Sequence, residues 1–570
     1  MKVDPEKIAK HLSAFYTKPP NAHLLALCTM QFPNPAWDHL SGDLDSWRDF
    51  YVVDFACGSG TLLVALYVAM KNLYLEKCTK YATRADVKRF HAAFVENFCH
   101  GFDVDQAAID ATLENITLLE SPAKFNRTHL LVMPLQSQPN PRLGSLDFLK
   151  NLWNETAEIP LPSFQVVIIN PPFARSCGDN LLFGHLAKQD RLELTAELKR
   201  IRHIIGTTGI GQAGQAADFI YLAQKATAPG GRFSFIVPKS LCFGPSWEAL
   251  RLFLVKNVEL ECIFLNYEEP HYGFSENTQL SECMVIARNA LPDAGTAGNS
   301  SQRVLIVNFL TSPATEEEAR QITFQICDAK NQILREDLTE NISNEISVSA
   351  DLFNTEGILC GNCYSVSQEI LGIYVNNWAQ IIGFYSPALC QIYLSLLHKG
   401  EFMLPENKVA IEIPLIPLRQ LGTLGYDRKI IHQQTEEGQG PPTVSTFWGR
   451  DNSEITAIAV NPTGCRQPKA SGSSNAFKKL QASASKFLIP ETIWLEKTKC
   501  FFLFCSQDVI SNVFWSFSPT HDLCSADGTP ISPEEASKIL ALWGNSTLGI
   551  LLFLGMRQET RGGWIHWKKR

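Results

Sequence analysis

The stretch YVVDFACGSGTLL at residues 51–63 constrains the fold of this chain more than any other. A run of β-type apolar residues passes into Gly58-Ser59-Gly60, and a helical pattern begins at Thr61. Glycines at the carboxyl end of a strand let the backbone turn tightly and approach a ligand. The loop lacks the Gly-Lys-Ser/Thr of a Walker motif, and Leu63 stands where a dinucleotide fingerprint needs its third glycine. The pattern predicts a ligand loop of another kind, with a purely structural turn as the alternative.

A carboxylate at the end of the next apolar run narrows the choice of ligand. The sequence GFDVD places Asp103 at that strand end, 43 residues beyond Gly60. An acid there can accept hydrogen bonds from both ribose hydroxyls of a nucleoside. Dinucleotide folds place this acid only about 20 residues beyond the loop. A nucleoside without a pyrophosphate, such as S-adenosylmethionine, therefore suits the spacing better.

A third strand-like run, VVII at residues 166–169, ends abruptly at Asn170-Pro171-Pro172-Phe173. Proline removes a backbone donor and forces the preceding residue into an extended conformation. We therefore expect a rigid ledge with two acceptors, the Asn170 side-chain oxygen and the Pro171 carbonyl. An exocyclic amino group has two N–H donors that match them, and Phe173 offers a face on which a flat ring can stack. The alternative is a strand stop followed by a core phenylalanine.

Short apolar runs and longer helical patterns alternate through residues 1–290, which is typical of a doubly wound, mostly parallel α/β sheet. The runs lie at residues 51–55, 99–104, 166–169, 232–237, 260–265 and 283–287, and a further run at 303–309 is assigned to the same domain. Beyond about residue 340 the alternation of apolar runs and helical patterns becomes irregular, with glycine- and proline-rich breaks. The sequence therefore predicts two domains, residues 1–340 and 341–570, the second of mixed α+β structure.

Charge is distributed unevenly along the chain. The net charge is −8, yet residues 461–570 hold 13 basic and 8 acidic residues. Residues 465–490 contain Lys478, Lys479 and Lys486 but no acidic residue. A local basic patch can bind a polyanion even on an acidic protein, so these lysines are candidates for contacts to a DNA backbone. A solvated face or a flexible tail is the alternative.

Composition disfavours several classes of protein. No window approaches the ~18 apolar residues of a membrane span. The charged N-terminus, MKVDPEKIAKHL, lacks the apolar core of a signal peptide. We therefore expect a cytoplasmic protein without a membrane partner, in which the 16 cysteines are reduced. Cys360 and Cys363 have no second pair at zinc-site spacing, so no metal site is predicted.

Several of these motifs occur together in one known family. The segment FYTKPP at residues 15–20, the loop DFACGSG at 54–60, Asp103 and NPPF at 170–173 follow one another in that order. Over residues 10–290 the chain resembles the N6-adenine-specific DNA methyltransferases with the motif order of type I modification subunits. Two departures are an additional lysine, Lys18, and Phe55 in place of the family's usual proline.

The resemblance implies a class I S-adenosylmethionine-dependent methyltransferase, Rossmann-like in fold, followed by a domain similar to target-recognition regions. It implies that NPPF is the catalytic tetrapeptide and that Phe274 joins Phe173 in stacking on a flipped base. It implies S-adenosylmethionine as the cofactor, with Asp147 as the candidate for the acid near its adenine. The implied cofactor-binding residues are Phe15, Tyr16, Thr17, Asp54, Ala56, Gly58, Gly60, Asp103 and Asp147.

The resemblance also implies a reaction and its partners. The activity would be methyl transfer to the N6 amino group of a flipped-out adenine in double-stranded DNA, in a restriction-modification or phage-defence system. A restriction or specificity subunit, where one exists, would be a separate chain. Two alternatives remain: an RNA or protein-glutamine N-methyltransferase, and a non-catalytic DNA-binding subunit of a defence complex.

Overall fold

The computed structural model describes residues 16–567 except 79–82, 121–124, 154–159, 175–180, 185, 270–271, 277, 279, 292–301, 338–345, 404–408, 427, 439, 450–454, 471–473, 495–496, 521–522, 526 and 562–563. The chain divides into two compact units, Met1–Trp378 and Ala379–Arg570. Each unit has its own sheet and its own apolar clusters.

The first unit is built on one large sheet, in which ten strands are seen in the described part of the chain. They are β1 (Val52–Asp54), β2 (Cys99–Asp103), β3 (His129–Val132), β4 (Phe164–Ile169), β5 (Thr227–Pro238), β6 (Glu259–Asn266), β7 (Glu282–Arg288), β8 (Arg303–Phe309), β9 (Ile346–Phe353) and β10 (Leu359–Ser367). A separate small hairpin pairs Leu135–Gln136 with Arg142–Leu143.

The order of strands across this sheet is β9-β10-β8-β6-β7-β5-β4-β1-β2-β3. β3, β2, β1, β4 and β5 are parallel neighbours, whereas β7 lies antiparallel between β5 and β6. The chain therefore starts at β1, moves outward to β3 and returns to β4 on the other side of β1. Open α/β sheets bind ligands beyond the carboxyl ends of the strands at such a reversal. The doubly wound, Rossmann-like fold predicted from the sequence is confirmed.

Both faces of the central strands are buried, as expected of parallel strands between helices. In β4, Val166 and Ile168 belong to the apolar cluster that covers one face, while Val167 and Ile169 point to the other. All four side chains are fully buried. This two-sided burial is the reason the strand reads as a continuous apolar run before it ends at Asn170.

Eight principal helices of the first unit occur among the described residues. They are α1 (Pro19–Gln31), α2 (Thr61–Glu76), α3 (Arg84–Ala93), α4 (Gln106–Thr117), α5 (Lys188–Ile204), α6 (Gln215–Ala226), α7 (Glu248–Asn257) and α8 (Glu316–Asp337). α1, α2 and α8 share the apolar cluster on one face of the sheet, for example through Leu25, Leu66 and Ile326.

The second unit has a mixed α+β structure. The strands of its main sheet are β11 (Gly422–Leu424), β12 (Thr435–Glu437), β13 (Val444–Phe447), β14 (Gly464–Pro468), β15 (Ser485–Pro490), β16 (Leu503–Ser511) and β17 (Phe514–Pro519). Their order across the sheet is β11-β17-β15-β16-β13-β14-β12, and Ala459–Val460 pairs with β16. The principal helices are α9 (Pro387–Leu394), α10 (Arg428–Gln434), α11 (Ser474–Ala482), α12 (Pro533–Gly544) and α13 (Thr547–Gly555).

The division between the compact units follows Trp378, whereas the sequence predicted one near residue 340. The difference arises because β9 and β10 extend the first sheet, with β10 antiparallel to β8.

Across the described ranges, no single helix is long and apolar enough to cross a membrane. The bent pair α12–α13 reaches the required length and apolar character only when its two helices are taken together.

Candidate functional site

A cleft opens at the carboxyl ends of β1, β2 and β4. It encloses about 1140 Å³, including space open to solvent. Residues from widely separated segments of the chain line it, which brings together motifs far apart in sequence. The predicted site residues among them are Tyr16, Thr17, Asp54, Ala56, Gly58, Asp103, Asn170 and Pro172.

The glycine loop joins β1 to α2 with two residues in the left-handed region. Gly58 has φ 54° and Gly60 has φ 81°, a conformation that side chains with a Cβ adopt at a cost. A Cβ on Gly60 would lie 2.8 Å from the Thr112 side chain. Thr112, on α4, also donates its hydroxyl to the Gly58 carbonyl at 2.8 Å. Both glycines are therefore required by this turn, and Gly58 exposes its backbone to the cleft.

Asp103 connects the glycine loop to the end of β2. Its carboxylate accepts the Gly58 N–H at 2.9 Å and the Asp105 N–H at 3.0 Å. Burial raises the pKa of Asp103, while the N–H groups of Asp105 and Gly58 oppose that shift. A carboxylate has about four lone-pair positions, so it can accept further hydrogen bonds from hydroxyl groups in the cleft.

Asp54 lies beneath the loop at the end of β1. Its side chain is buried and accepts the Ala56 N–H at 2.9 Å. Burial raises the pKa of Asp54 well above its ordinary value, the Ala56 N–H opposes this, and the charge of Asp103 adds to it. Asp54 thus shapes the first turn of the loop, and the cleft is bordered by two carboxyl groups close to each other.

The segment before α1 is held against the loop before β7. Thr17 and Ser275 form an antiparallel bridge. The Lys18 N–H donates to the Phe274 carbonyl at 3.1 Å. This pairing brings Thr17 into the lining of the cleft beside Asn170.

Tyr16 lies over the glycine loop. Its ring stands 3.0 Å from the position that a Cβ on Gly58 would occupy. Burial raises the pKa of the Tyr16 hydroxyl, as do the charges of Asp103 and Asp105. Phe15, predicted with Tyr16 and Thr17 as a cofactor-binding residue, lies outside the described residues.

Asn170 is the first residue after β4, and its amide is held from two sides. Nδ2 donates to the Thr17 hydroxyl at 3.1 Å and to the Ser275 hydroxyl at 3.0 Å. Pro171 is buried, whereas Asn170 and Pro172 line the cleft. The two hydroxyls come from the N-terminal segment and from the loop before β7, so three segments converge on this one side chain.

The aromatic residues predicted to stack on a base lie in the core. Phe274 has no exposed surface and packs edge-to-face on Phe309, with ring centroids 6.4 Å apart. The stacking role predicted for Phe274 is therefore wrong for this conformation, because its ring is enclosed by the apolar cluster under the sheet. Phe173 is 5% exposed and does not line the cleft either.

Asp147 also differs from its predicted role. Its carboxylate pairs with the Lys150 ammonium at 2.9 Å, one helical turn along the chain. Asp147 does not line the cleft, which at this point is bordered by Leu143 and Ser145. The Ser145 hydroxyl donates to the Phe55 carbonyl at 2.6 Å and so fixes this segment to the glycine loop.

Two aromatic residues that line the cleft received no role from the sequence. Phe219 lies on α6. Phe183 has φ 54° and is the one described residue other than glycine with a positive φ. Such conformations are held in place by surrounding structure and concentrate at binding sites. Neither ring had a sequence signal that separates it from a core aromatic.

The three lysines predicted to contact a DNA backbone lie in the second unit and differ in environment. Lys478 and Lys479 are exposed on α11. Lys486, on β15, instead forms an ion pair with Glu534 at 2.5 Å. Lys478 and Lys479 are therefore better placed for a polyanion than Lys486.

Several solved structures are similar to parts of this chain at low sequence identity. No protein-family model matches this chain, and no curated protein does. A type I restriction-modification methyltransferase subunit from Streptococcus thermophilus has a TM-score of 0.35 and 12% identity, over 64% of this chain and 58% of that one. The type IIG restriction endonuclease BpuSI has a TM-score of 0.43 and 14% identity, over 96% of this chain and 57% of that one.

A third similar structure is a putative class I S-adenosylmethionine-dependent methyltransferase from Listeria monocytogenes. Its TM-score is 0.32 at 16% identity, over 56% of this chain and 71% of that one. The chain thus spans less than two thirds of the length of the first two proteins.

Proposed function

We propose that this chain is an S-adenosylmethionine-dependent methyltransferase that modifies the N6 amino group of adenine in DNA. The observation that carries the proposal is the position of Asn170. Its amide is held at the carboxyl end of β4 by Thr17 and Ser275, in the same cleft as Gly58 and Asp103. An amine acceptor and a nucleoside-binding loop thus share one cavity.

The cleft residues fit S-adenosylmethionine in chemistry. Asp103 retains acceptor capacity for ribose hydroxyls beyond the two N–H groups bound to its carboxylate. Gly58 lines the cleft, and its missing Cβ leaves room for the exposed Tyr16 ring, which stands 3.0 Å from that position. When bound, S-adenosylmethionine supplies an electrophilic methyl group.

The residues of this chain would act by orienting the amine. The Asn170 oxygen and the Pro171 carbonyl accept the two N–H groups of an exocyclic amine, which turns the nitrogen lone pair away from conjugation with its ring. Neither group must act as a strong base, because the nitrogen loses a proton readily once it has become cationic. Positioning and fixed acceptor dipoles are therefore the sources of rate enhancement.

Adenine in a duplex must leave the base stack to reach this cleft, at a cost of about a few kcal/mol. The exposed Lys478 and Lys479 of the second unit are the proposed contacts to the phosphate backbone of double-stranded DNA. A restriction-modification or phage-defence role, with a restriction or specificity subunit as a separate chain, is part of this proposal.

The test is methyl transfer from labelled S-adenosylmethionine to unmethylated DNA, followed by identification of the modified base. The wild-type chain should yield N6-methyladenine, and Asn170→Ala should yield none while it binds the cofactor within about twofold of wild type. If methyl transfer occurred only to RNA or only to a protein glutamine, that molecule and not DNA would be the substrate. Cofactor binding without transfer to any of these would indicate a non-catalytic subunit.

A further inference from the structure

The side chain of Gln215 lies in the wall of the cleft. Gln215 is the first residue of α6 and lines the cavity. It is only 8% exposed, yet its side-chain amide forms no hydrogen bond within the described part of the chain. Buried amides are normally paired, so an unpaired amide at the edge of a cavity indicates a ligand with matching polar groups.

The backbone of Gln215 is held in place at the start of its helix. Its N–H donates to the Ala174 carbonyl at 2.9 Å, and Ala174 also lines the cleft. The preceding Gly214 has φ 108°, a conformation that favours glycine and sets the direction in which α6 begins. The amide is therefore presented to the cleft from a defined position.

A buried ion pair fixes the first turn of α6. Nε of Arg202, on α5, donates to Oδ1 of Asp218 at 2.8 Å, and Nη2 donates to Oδ2. Both side chains are buried, and a bidentate pair fixes geometry as well as charge. A Cβ on Gly211, in the turn before α6, would collide with the same guanidinium. This end of α6 is therefore rigid, as a binding residue requires.

Phe219 lies one helical turn beyond Gln215 and lines the same cleft. Residues four apart in sequence lie on one face of a helix. The start of α6 thus brings an aromatic ring next to an amide. A flat ring that packs on Phe219 can direct its edge at Gln215.

The chemistry of the amide selects the kind of ring edge. Nε2 donates hydrogen bonds and Oε1 accepts them, side by side. Adenine matches this pair, because its amino group donates beside a ring nitrogen that accepts, whereas guanine presents two acceptors at the same edge. Asp147, the acid that the family resemblance implies near an adenine, pairs with Lys150 and does not line the cleft. Gln215 supplies the acceptor that Asp147 does not.

We propose that Gln215 hydrogen-bonds the edge of an adenine ring in the cleft, accepting the amino N–H at Oε1 and donating from Nε2 to a ring nitrogen. This inference rests on the proposed function, which brings two adenine rings to the cleft, that of S-adenosylmethionine and that of the target base. Both rings present the same chemistry. Measuring cofactor binding without DNA, and DNA dependence at saturating cofactor, separates them.

Two variants of Gln215 and one control isolate the amide. Gln215→Met keeps the length of the side chain and removes both hydrogen-bonding groups. Gln215→Glu keeps the shape and loses the Nε2 donor, so it preserves the comparison if the methionine variant does not fold. Gln212→Met is the matched control, because Gln212 lies three residues earlier, is exposed and does not line the cleft.

The cofactor arm is isothermal titration calorimetry with S-adenosylhomocysteine and with its purine analogue, which lacks only the amino group of the ring. If Gln215 binds the cofactor ring, wild type should prefer S-adenosylhomocysteine by about 10- to 100-fold, because the analogue leaves Oε1 unpaired. Gln215→Met should reduce this preference to less than about threefold. Gln215→Glu should bind both compounds more weakly, because a carboxylate then faces the ring nitrogen. Gln212→Met should match wild type.

The DNA arm measures single-turnover methyl transfer against the concentration of unmethylated DNA at saturating cofactor. If Gln215 binds the target ring instead, both Gln215 variants should raise the DNA concentration for the half-maximal rate by about 10-fold. Their affinity for S-adenosylhomocysteine should then equal that of wild type. Either pattern supports the inference and assigns the ring.

The inference would be overturned if both Gln215 variants matched wild type in the two arms, or if Gln212→Met shared the losses of Gln215→Met. A wild-type chain that binds S-adenosylhomocysteine with the expected preference but transfers no methyl group would contradict the proposed function and leave the role of Gln215 standing. A wild-type chain that binds neither compound would overturn both.

Discussion

The backbone N–H of Gly58 donates to the Asp103 carboxylate at 2.9 Å. This contact joins the glycine loop after β1 to the end of β2 through two residues that are 45 apart in sequence, and it places a carboxylate next to the backbone of a residue that lacks a side chain. It also makes Asp103 a residue that both supports the glycine loop and faces the cleft.

Asp103→Ala should weaken binding of S-adenosylmethionine before it affects any later step. Loss of the carboxylate removes the acceptors for ribose hydroxyls and leaves the Gly58 N–H unpaired, which should lower affinity by about 10- to 100-fold. Isothermal titration calorimetry measures this directly. Asp110→Ala is the control, since Asp110 is an exposed acid on α4; the same loss there would contradict the role of Asp103.

Gly60→Ala should destabilise the first unit by more than its backbone strain alone. The new Cβ would stand 2.8 Å from the Thr112 side chain in addition to holding φ 81°. Gly206→Ala isolates the strain, because Gly206 has φ 73° with nothing within 4 Å of a Cβ. The left-handed conformation costs about 1–2 kcal/mol. Denaturant titrations should give a larger loss of unfolding free energy for Gly60→Ala than for Gly206→Ala. Equal losses would mean that the loop shifts to accommodate the new Cβ without further cost.

Replacing both Lys478 and Lys479 with Gln should weaken DNA binding similarly for all sequences. Removing two phosphate contacts should reduce the salt slope of log K by about 0.9 for each lysine. Lys486→Gln is the matched comparison and should have less effect, because Lys486 is paired with Glu534. Affinity measured over a range of salt concentrations distinguishes these outcomes. An unchanged salt slope in the double variant would mean that Lys478 and Lys479 make no phosphate contacts and that α11 is only a solvated helix.

Stability should fall as the pH rises through about 7 because of Glu282. Burial raises the pKa of Glu282 from 4.5 to about 7, against hydrogen bonds from Ser275 and Phe274 and the charge of Lys18. A raised pKa gives stability that is fully present below the unfolded-state pKa and is lost as the pH passes the folded-state pKa. Glu282→Gln should lack this loss, which amounts to up to about 3 kcal/mol. Unfolding free energies of both proteins between pH 5 and pH 8.5 test it.

The strand ends of the site could be predicted from sequence because each is marked by local chemistry. Gly58 and Gly60 follow β1, Asp103 closes β2 and Asn170 follows β4, and parallel strands bring their carboxyl ends to one edge. The contacts of Asn170 could not be predicted in this way. Thr17 and Ser275 are 153 and 105 residues from Asn170 in sequence, and only the packed loops bring them together.

The structure differs from the predictions where burial, ion pairing or strand pairing decides, and a single sequence does not reveal these. Phe274 is apolar and lies in a loop before β7, so its sequence fits a base-stacking residue as well as a core residue, and the apolar cluster decides between them. The sequence alone does not show that the Asp147 carboxylate forms an ion pair with Lys150, which lies on the next turn. The irregular sequence pattern beyond residue 340 likewise did not indicate β9 and β10, whose place in the first sheet depends on pairing with β8.

The most direct test of the central claim is modified-base sequencing of genomic DNA from a methylation-free host that expresses this chain. We expect N6-methyladenine at one recurring sequence, and its complete absence with Asn170→Ala at equal protein level. That result would assign the base, the substrate and the catalytic residue together. Unmodified DNA with the wild-type chain, or equal modification with Asn170→Ala, would contradict the account.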